Sequence, residues 1–130
     1  MNTSVLEAPT VTEPVRVLIV DDSEDQRMLL RVYFERAGCT VVEAGTALDA
    51  LDSFRDHMFD LTVIDLYLPG MDGWQLAAEI SRDQPTAPIA ITSVLSADHY
   101  PAQHAALPKP VSSAHVRSAL AQLVPRWTAA

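Results

Sequence analysis

From about Val15 to Val124 the chain alternates short, wholly apolar runs with longer stretches whose apolar positions recur at helical spacing. Val17-Leu18-Ile19-Val20 is β-branched and uninterrupted, as expected of a strand buried on both faces, and it stops at Asp21-Asp22-Ser23. Ser23 and Gln26 have capping-box spacing, while Leu29, Val32, Tyr33 and Phe34 supply the apolar positions of a helix that Gly38 ends. The unit then recurs in kind. Thr40-Val41-Val42 predicts a second strand, and Thr46 to about His57 a helix that turns Ala47, Ala50, Leu51 and Phe54 toward a sheet. Leu61-Thr62-Val63-Ile64 runs as a third strand into Asp65; Pro69-Gly70-Met71-Asp72-Gly73 then forces a loop, and Leu76, Ala77 and Ile80 mark the next helix. Pro88-Ile89-Ala90-Ile91-Thr92-Ser93 predicts a fourth strand, Ala106-Leu107 a fifth, and Val116, Leu120 and Leu123 the face of a last helix closed by Pro125.

Strands alternating with helices through short loops imply a parallel sheet covered on both sides, because right-handed crossovers place the helices on its faces. The predicted fold is a five-stranded, doubly wound α/β domain over residues 14–125. Residues 1–13 mix Thr, Ser, Pro and Glu without apolar periodicity and read as a flexible N-terminal leader, and 126–130, with Trp127, as a C-terminal tail. In such folds function gathers at the C-terminal ends of the strands, where the order of connection reverses.

Composition narrows the classes. With 130 residues and 48% hydrophobic content there is material for one core and too little length for two domains. A formal charge of −8 argues against binding nucleic acid or an anionic membrane surface, both of which need clustered Lys and Arg. Cys39 is the single cysteine, so no intramolecular disulfide forms, and it reads as a small buried hydrophobe. No basic segment precedes an apolar run, and no stretch approaches the roughly 18 apolar residues of a membrane span, so a cytoplasmic protein is expected. His57, His99, His104 and His115 show no metal-ligand spacing, Trp74 reads as a packing residue at a helix start, and no glycine-rich phosphate loop or nucleophile elbow is present.

The chemistry lies at the predicted strand ends: Asp21 and Asp22 after the first strand, Asp65 after the third, Ser93 after the fourth and Lys109 after the fifth. Read singly, the paired Asp is also a helix-entry signal, Asp65 a turn cap, Ser93 an ordinary strand-end hydroxyl and Lys109 a solvated cation. Read together, three carboxylates at one edge repel one another and call for raised pKa values or a bound cation. A hard divalent ion is the simpler answer, and Mg²⁺ is held by one or two carboxylates together with phosphate oxygens.

Val17-Leu18-Ile19-Val20-Asp21-Asp22, Asp65-Leu66-Tyr67-Leu68-Pro69-Gly70-Met71-Asp72-Gly73 and Lys109-Pro110 resemble, in the usual order, the three signature segments of bacterial response-regulator receiver domains. The resemblance covers about Val15 to Val124. It implies a flavodoxin-like sheet of strand order 2-1-3-4-5 and a phosphorylation switch in a two-component phosphorelay. Asp65 is then the phosphoacceptor, fed by a histidine kinase or a histidine phosphotransfer protein. Asp22 and Asp65 bind Mg²⁺ with the Tyr67 backbone carbonyl, Asp21 assists through water, Lys109 pairs with the phosphoryl group and Ser93 takes the switch hydroxyl position. The Lys109-Pro110 bond can take either isomer on the sequence alone, the cis form being common at this position in the family. The chain reads as a stand-alone regulator, a monomer or weak dimer that contacts a downstream protein target, and not as an enzyme beyond its own phosphoryl transfer and autodephosphorylation.

The sequence also departs from that pattern. The stretch between Ser93 and Lys109 is short and contains Pro101, so the helix after the fourth strand is expected short or absent. Ala106 stands where many receivers carry a switching aromatic, and Val94 where a small residue is usual. Output through the first helix or a remodelled 94–106 loop is therefore expected. Tyr67 and Leu95, both bulky, predict slow autodephosphorylation if they shield the acyl phosphate from water, although both also suit a pocket rim or a partner contact. An alternative is a receiver-fold interaction module that signals by binding without phosphorylation. A phosphohydrolase with Asp65 as nucleophile is disfavoured, because such enzymes place a second Asp two positions on, where this chain has Tyr67.

Overall fold

The computed structural model describes residues 13–93 and 105–129. The chain opens with β1 (Arg16–Val20), α1 (Glu24–Arg36), β2 (Thr40–Ala44) and α2 (Ala47–Asp56). It continues through β3 (Leu61–Asp65), α3 (Gly73–Asp83), β4 (Ile89–Ser93), β5 (Ala105–Pro108) and α4 (Ser113–Leu123). The strands form one parallel sheet in the order β2-β1-β3-β4-β5, so connection reverses between β1 and β3. The segment read as a short or absent helix after the fourth strand, with Val94, Leu95, His99, Pro101 and His104, lies outside the described residues.

Alternation along the strands sorts the core into two layers. Val17 and Ile19 of β1 join Leu61, Val63, Ala90 and Leu107 under α1 and α4, which contribute Leu30, Phe34, Val116, Ala119 and Leu120. Leu18 and Val20 face the other way, with Ile64, Ile89 and Ile91, onto Ala50 and Phe54 of α2 and Leu76, Ala77 and Ile80 of α3. Phe34 and Leu120 are sealed from solvent, and a cavity the size of such a side chain costs about 2–5 kcal/mol. The helices start where polar caps allow. Ser23 Oγ accepts from Gln26 N (3.2 Å), Thr46 Oγ1 from Asp49 N (3.1 Å) and Ser112 Oγ from His115 N (3.1 Å). The reciprocal capping box forms at Asp72 and Gln75, which heads α3.

Register brings the site together. Val20 lies opposite Ile64, so Asp21 and Asp65 follow side by side at the C-terminal edge, and Asp65 in turn lies opposite Thr92. At the other end of the sheet the Arg126 guanidinium grips both carboxylate oxygens of Asp60 (3.1 and 2.8 Å) and the carbonyls of Glu13 (2.7 Å) and Pro14 (2.8 Å). Asp60 also accepts from Arg16 N at 2.8 Å. Trp127 packs half-buried on the α1–α4 layer, its Nε1 donating to the Ala37 carbonyl at 2.9 Å and its ring lying 5.2 Å from the Arg117 guanidinium. The first residues of the stretch read as a tail thus lie against the domain.

Candidate functional site

β1 and β3 end on acids because the apolar run stops where the strands leave the core. Asp21 continues the parity of Val17 and Ile19, and Asp65 that of Val63, so both carboxylates rise on the α1–α4 side of the edge. Asp22, one residue on, is exposed. One carboxylate oxygen from each of Asp21, Asp22 and Asp65 lies within 4.8 Å of the others. Lys109, carried in by the turn after β5, places Nζ 3.1 Å from Asp65 Oδ1, and the Tyr67 N–H approaches the same oxygen at 3.5 Å. The Lys109 amide donates to the Ser93 carbonyl (3.0 Å), which locks the ends of β4 and β5 together, and the Lys109-Pro110 bond is cis.

Burial differs sharply inside this cluster. Asp21 is 1% exposed, Asp65 6% and Ser93 1%, whereas the Tyr67 side chain is 64% exposed. Asp21 Oδ1 accepts from Ser23 N at 2.9 Å, but its Oδ2 is buried without a hydrogen-bond partner. Burial pushes the Asp21 carboxyl above its usual range; the Ser23 N–H opposes that rise and nearby Asp65 adds to it. An orphaned, desolvated carboxylate oxygen beside two further carboxylates is the donor set that a hard divalent cation satisfies.

Gly73 decides how closely α3 abuts Asp65. A Cβ there would stand 2.6 Å from the Asp65 carbonyl oxygen and 2.8 Å from Leu66 Cα, so only glycine lets the Gly73 amide reach the Leu66 carbonyl. Two further residues escape a reading of the sequence. Thr92, opposite Asp65, has a fully buried Oγ1 without a partner, and Arg27 donates to the Asp21 carbonyl at 2.6 Å. Neither carries a motif: Thr92 reads as an ordinary strand residue and Arg27 as one of several helix cations.

The other candidates stay outside the cluster. His57 bonds the Ser53 carbonyl and tilts against Phe59, and His115 lies in the first turn of α4. Trp74 packs on the α2–α3 layer. Cys39 is buried and its thiol is pushed up to about 11 by desolvation, consistent with a packing role. Ala106 lies opposite Ile91, where no aromatic reaches toward Ser93 from β5. No described helix is long and apolar enough to cross a membrane.

Comparison with known proteins agrees with this geometry. The sensory/regulatory protein RpfC of Xanthomonas campestris pv. campestris is 32% identical over 122 residues, taking in 84% of this chain and 16% of RpfC. The chain spans well under two thirds of the length of the curated relatives it matches. The Vibrio cholerae chemotaxis protein CheY4 superposes with a TM-score of 0.78 at 21% identity, over 85% of this chain and 99% of its own. Response regulator protein TrrA from Thermotoga maritima, solved in complex with Mg(2+)-BeF, gives 0.75 at 24% identity, over 84% and 98%. The family model described as the response regulator receiver domain matches residues 17–121, so the chain belongs to the receiver-domain family of two-component signalling.

Proposed function

We propose that Asp65 is a phosphoacceptor, loaded from a phosphohistidine on a histidine kinase or phosphotransfer protein, and that the domain then signals by protein contact. The observation that carries this reading is the meeting of three carboxylates within 4.8 Å beside an amine 3.1 Å from Asp65. An Asp65 carboxylate oxygen attacks phosphorus and the P–N bond to the donor imidazole, protonated on its other nitrogen, breaks; the electron pair stays on the ring nitrogen, leaving neutral histidine and an acyl phosphate. Lys109 offsets charge on the phosphoryl oxygens as a compact cation on a flexible stem. Ser93, at the end of β4, has a hydroxyl able to donate to a phosphoryl oxygen. Asp21, Asp22 and Asp65, with the Tyr67 carbonyl, are the groups assigned to Mg²⁺, which when bound compensates the negative charge of the acids and the phosphoryl group.

Exposure of the protein to acetyl phosphate with Mg²⁺ should add one phosphoryl mass to wild type and none to Asp65→Asn. Modification that survives in Asp65→Asn would place the acceptor elsewhere. A second reading, signalling by binding alone, draws on Ala106, which removes the aromatic that could report the state of Ser93. It predicts that wild type stays unmodified under those conditions and with every histidine kinase tried.

A further inference from the structure

Arg27 lies in the first turn of α1, its amide donating to the Ser23 carbonyl at 3.0 Å. Its guanidinium, 18% exposed, reaches two ways: Nη1 donates to the Asp21 carbonyl at 2.6 Å and Nε to Glu43 Oε1 at 3.0 Å. Glu43 sits in β2 opposite Ile19, and its second oxygen accepts from Arg31. The Asp21 amide donates to the Ala44 carbonyl of β2 at 3.1 Å. Both peptide groups flanking Asp21 are therefore tied to β2, one directly and one through Arg27 and Glu43. The second of these planes leads into Asp22, so its tilt sets where the Asp22 carboxylate stands relative to Asp21 and Asp65.

We propose that Arg27 is a positioning residue for the cation site: a strut from Glu43 that fixes the Asp21–Asp22 peptide plane. The proposal rests on the phosphoacceptor reading and deepens it. Charge alone does not explain the arrangement, because a guanidinium beside a cation site repels the cation. Glu43 is placed to neutralise it: burial opposes its ionisation, but the bonds from Arg31 and Arg27 win and hold its carboxyl below the usual range. The exposed pairs Arg55–Asp52 and Arg82–Glu79 join side chain to side chain within one helix. Arg27 also donates to a backbone carbonyl of the acid loop. Lysine has a single nitrogen and cannot bridge a carboxylate and a carbonyl in this fork geometry.

The test is a Mg²⁺ titration of the full chain followed by backbone amide shifts, reading the dissociation constant at Asp22 and Tyr67, with thermal midpoints recorded alongside. Arg27→Met is expected to weaken Mg²⁺ binding by about tenfold, as is common when a group supporting metal ligands is lost. Arg27→Lys, which keeps the charge, is expected to bind no better than Arg27→Met. Arg31→Met cuts the other arm on Glu43 without touching the acid loop, and is expected to leave the constant within about twofold even if the midpoint falls. Full recovery by Lys, or an equal loss in Arg31→Met, would overturn the strut. So would unchanged binding in Arg27→Met while wild type responds to Mg²⁺, an outcome that leaves the site reading intact. A wild type whose amides ignore Mg²⁺ removes the site reading and the strut together.

Discussion

Asp21 and Asp22 are neighbours in sequence and opposites in environment. Strand parity buries the first beside Asp65 and leaves the second in solvent, so the folded domain keeps a desolvated carboxylate oxygen with no partner. Burial and the neighbouring Asp65 both disfavour the charged form of Asp21. Asp21→Asn removes that charge while its amide oxygen can still accept from Ser23 N, and is therefore expected to raise stability in urea unfolding with chelator present. Saturating Mg²⁺ should narrow the gap, because wild type then gains the free energy of binding. A variant less stable than wild type in chelator would mean that the orphan is satisfied by water. At this scale the sequence is informative about which acids gather and silent about which is buried. Arg27 was not legible, because its role depends on a side chain that reaches back six residues and across sixteen to Glu43.

The elements were more legible than their edges. The polar residues at Ser23 and Thr46 stand where caps are needed, and both helices begin there. The second strand runs two residues beyond Thr40-Val41-Val42, through Glu43 and Ala44. Glu43 breaks the apolar pattern, but β2 is an edge strand and Arg27 and Arg31 cover its carboxylate, so a charge is tolerated. The capping box completes at Asp72 instead of Ser23, in the loop where α3 must start hard against Asp65. Gly73→Ala tests that constraint. Its Cβ meets backbone, which cannot swing aside as a side chain can. A destabilisation of about 1–3 kcal/mol is expected, together with slower phosphorylation by acetyl phosphate as Asp65 is displaced. Unchanged denaturation and labelling would show that α3 slides without moving β3.

At the scale of the molecule, alternation of strand and helix dictated a doubly wound sheet, whereas the observed order β2-β1-β3-β4-β5 was implied only by the family resemblance. The closure of the sheet's N-terminal end did not follow from any local pattern. Arg126 and Asp60 lie 66 residues apart and Trp127 and Ala37 90 apart, and the chain after Pro125 carries no periodicity. Burial alone would raise the Asp60 carboxyl, but the Arg126 guanidinium and the Arg16 amide outweigh it and hold it below the usual range. A carboxyl depressed in the folded state contributes stability above the ordinary aspartate range and loses it as pH falls through the depressed value. The stability gap between wild type and Arg126→Met should therefore be widest near neutral pH and shrink in acid, and it should be modest because the pair is partly exposed. Denaturant midpoints across pH measure it; a gap independent of pH would trace the effect to the Glu13 and Pro14 carbonyls.

That clasp also gives the domain a polarity useful to an experimenter. Since Glu13 and Arg126 meet at one pole and the acids cluster at the other, a reporter grafted before Glu13 or after Ala129 departs from the far side. Proximity labelling or pull-down through such a graft should leave the face of the acid cluster uncovered, whereas a reporter inserted at the Tyr67 turn would cover it.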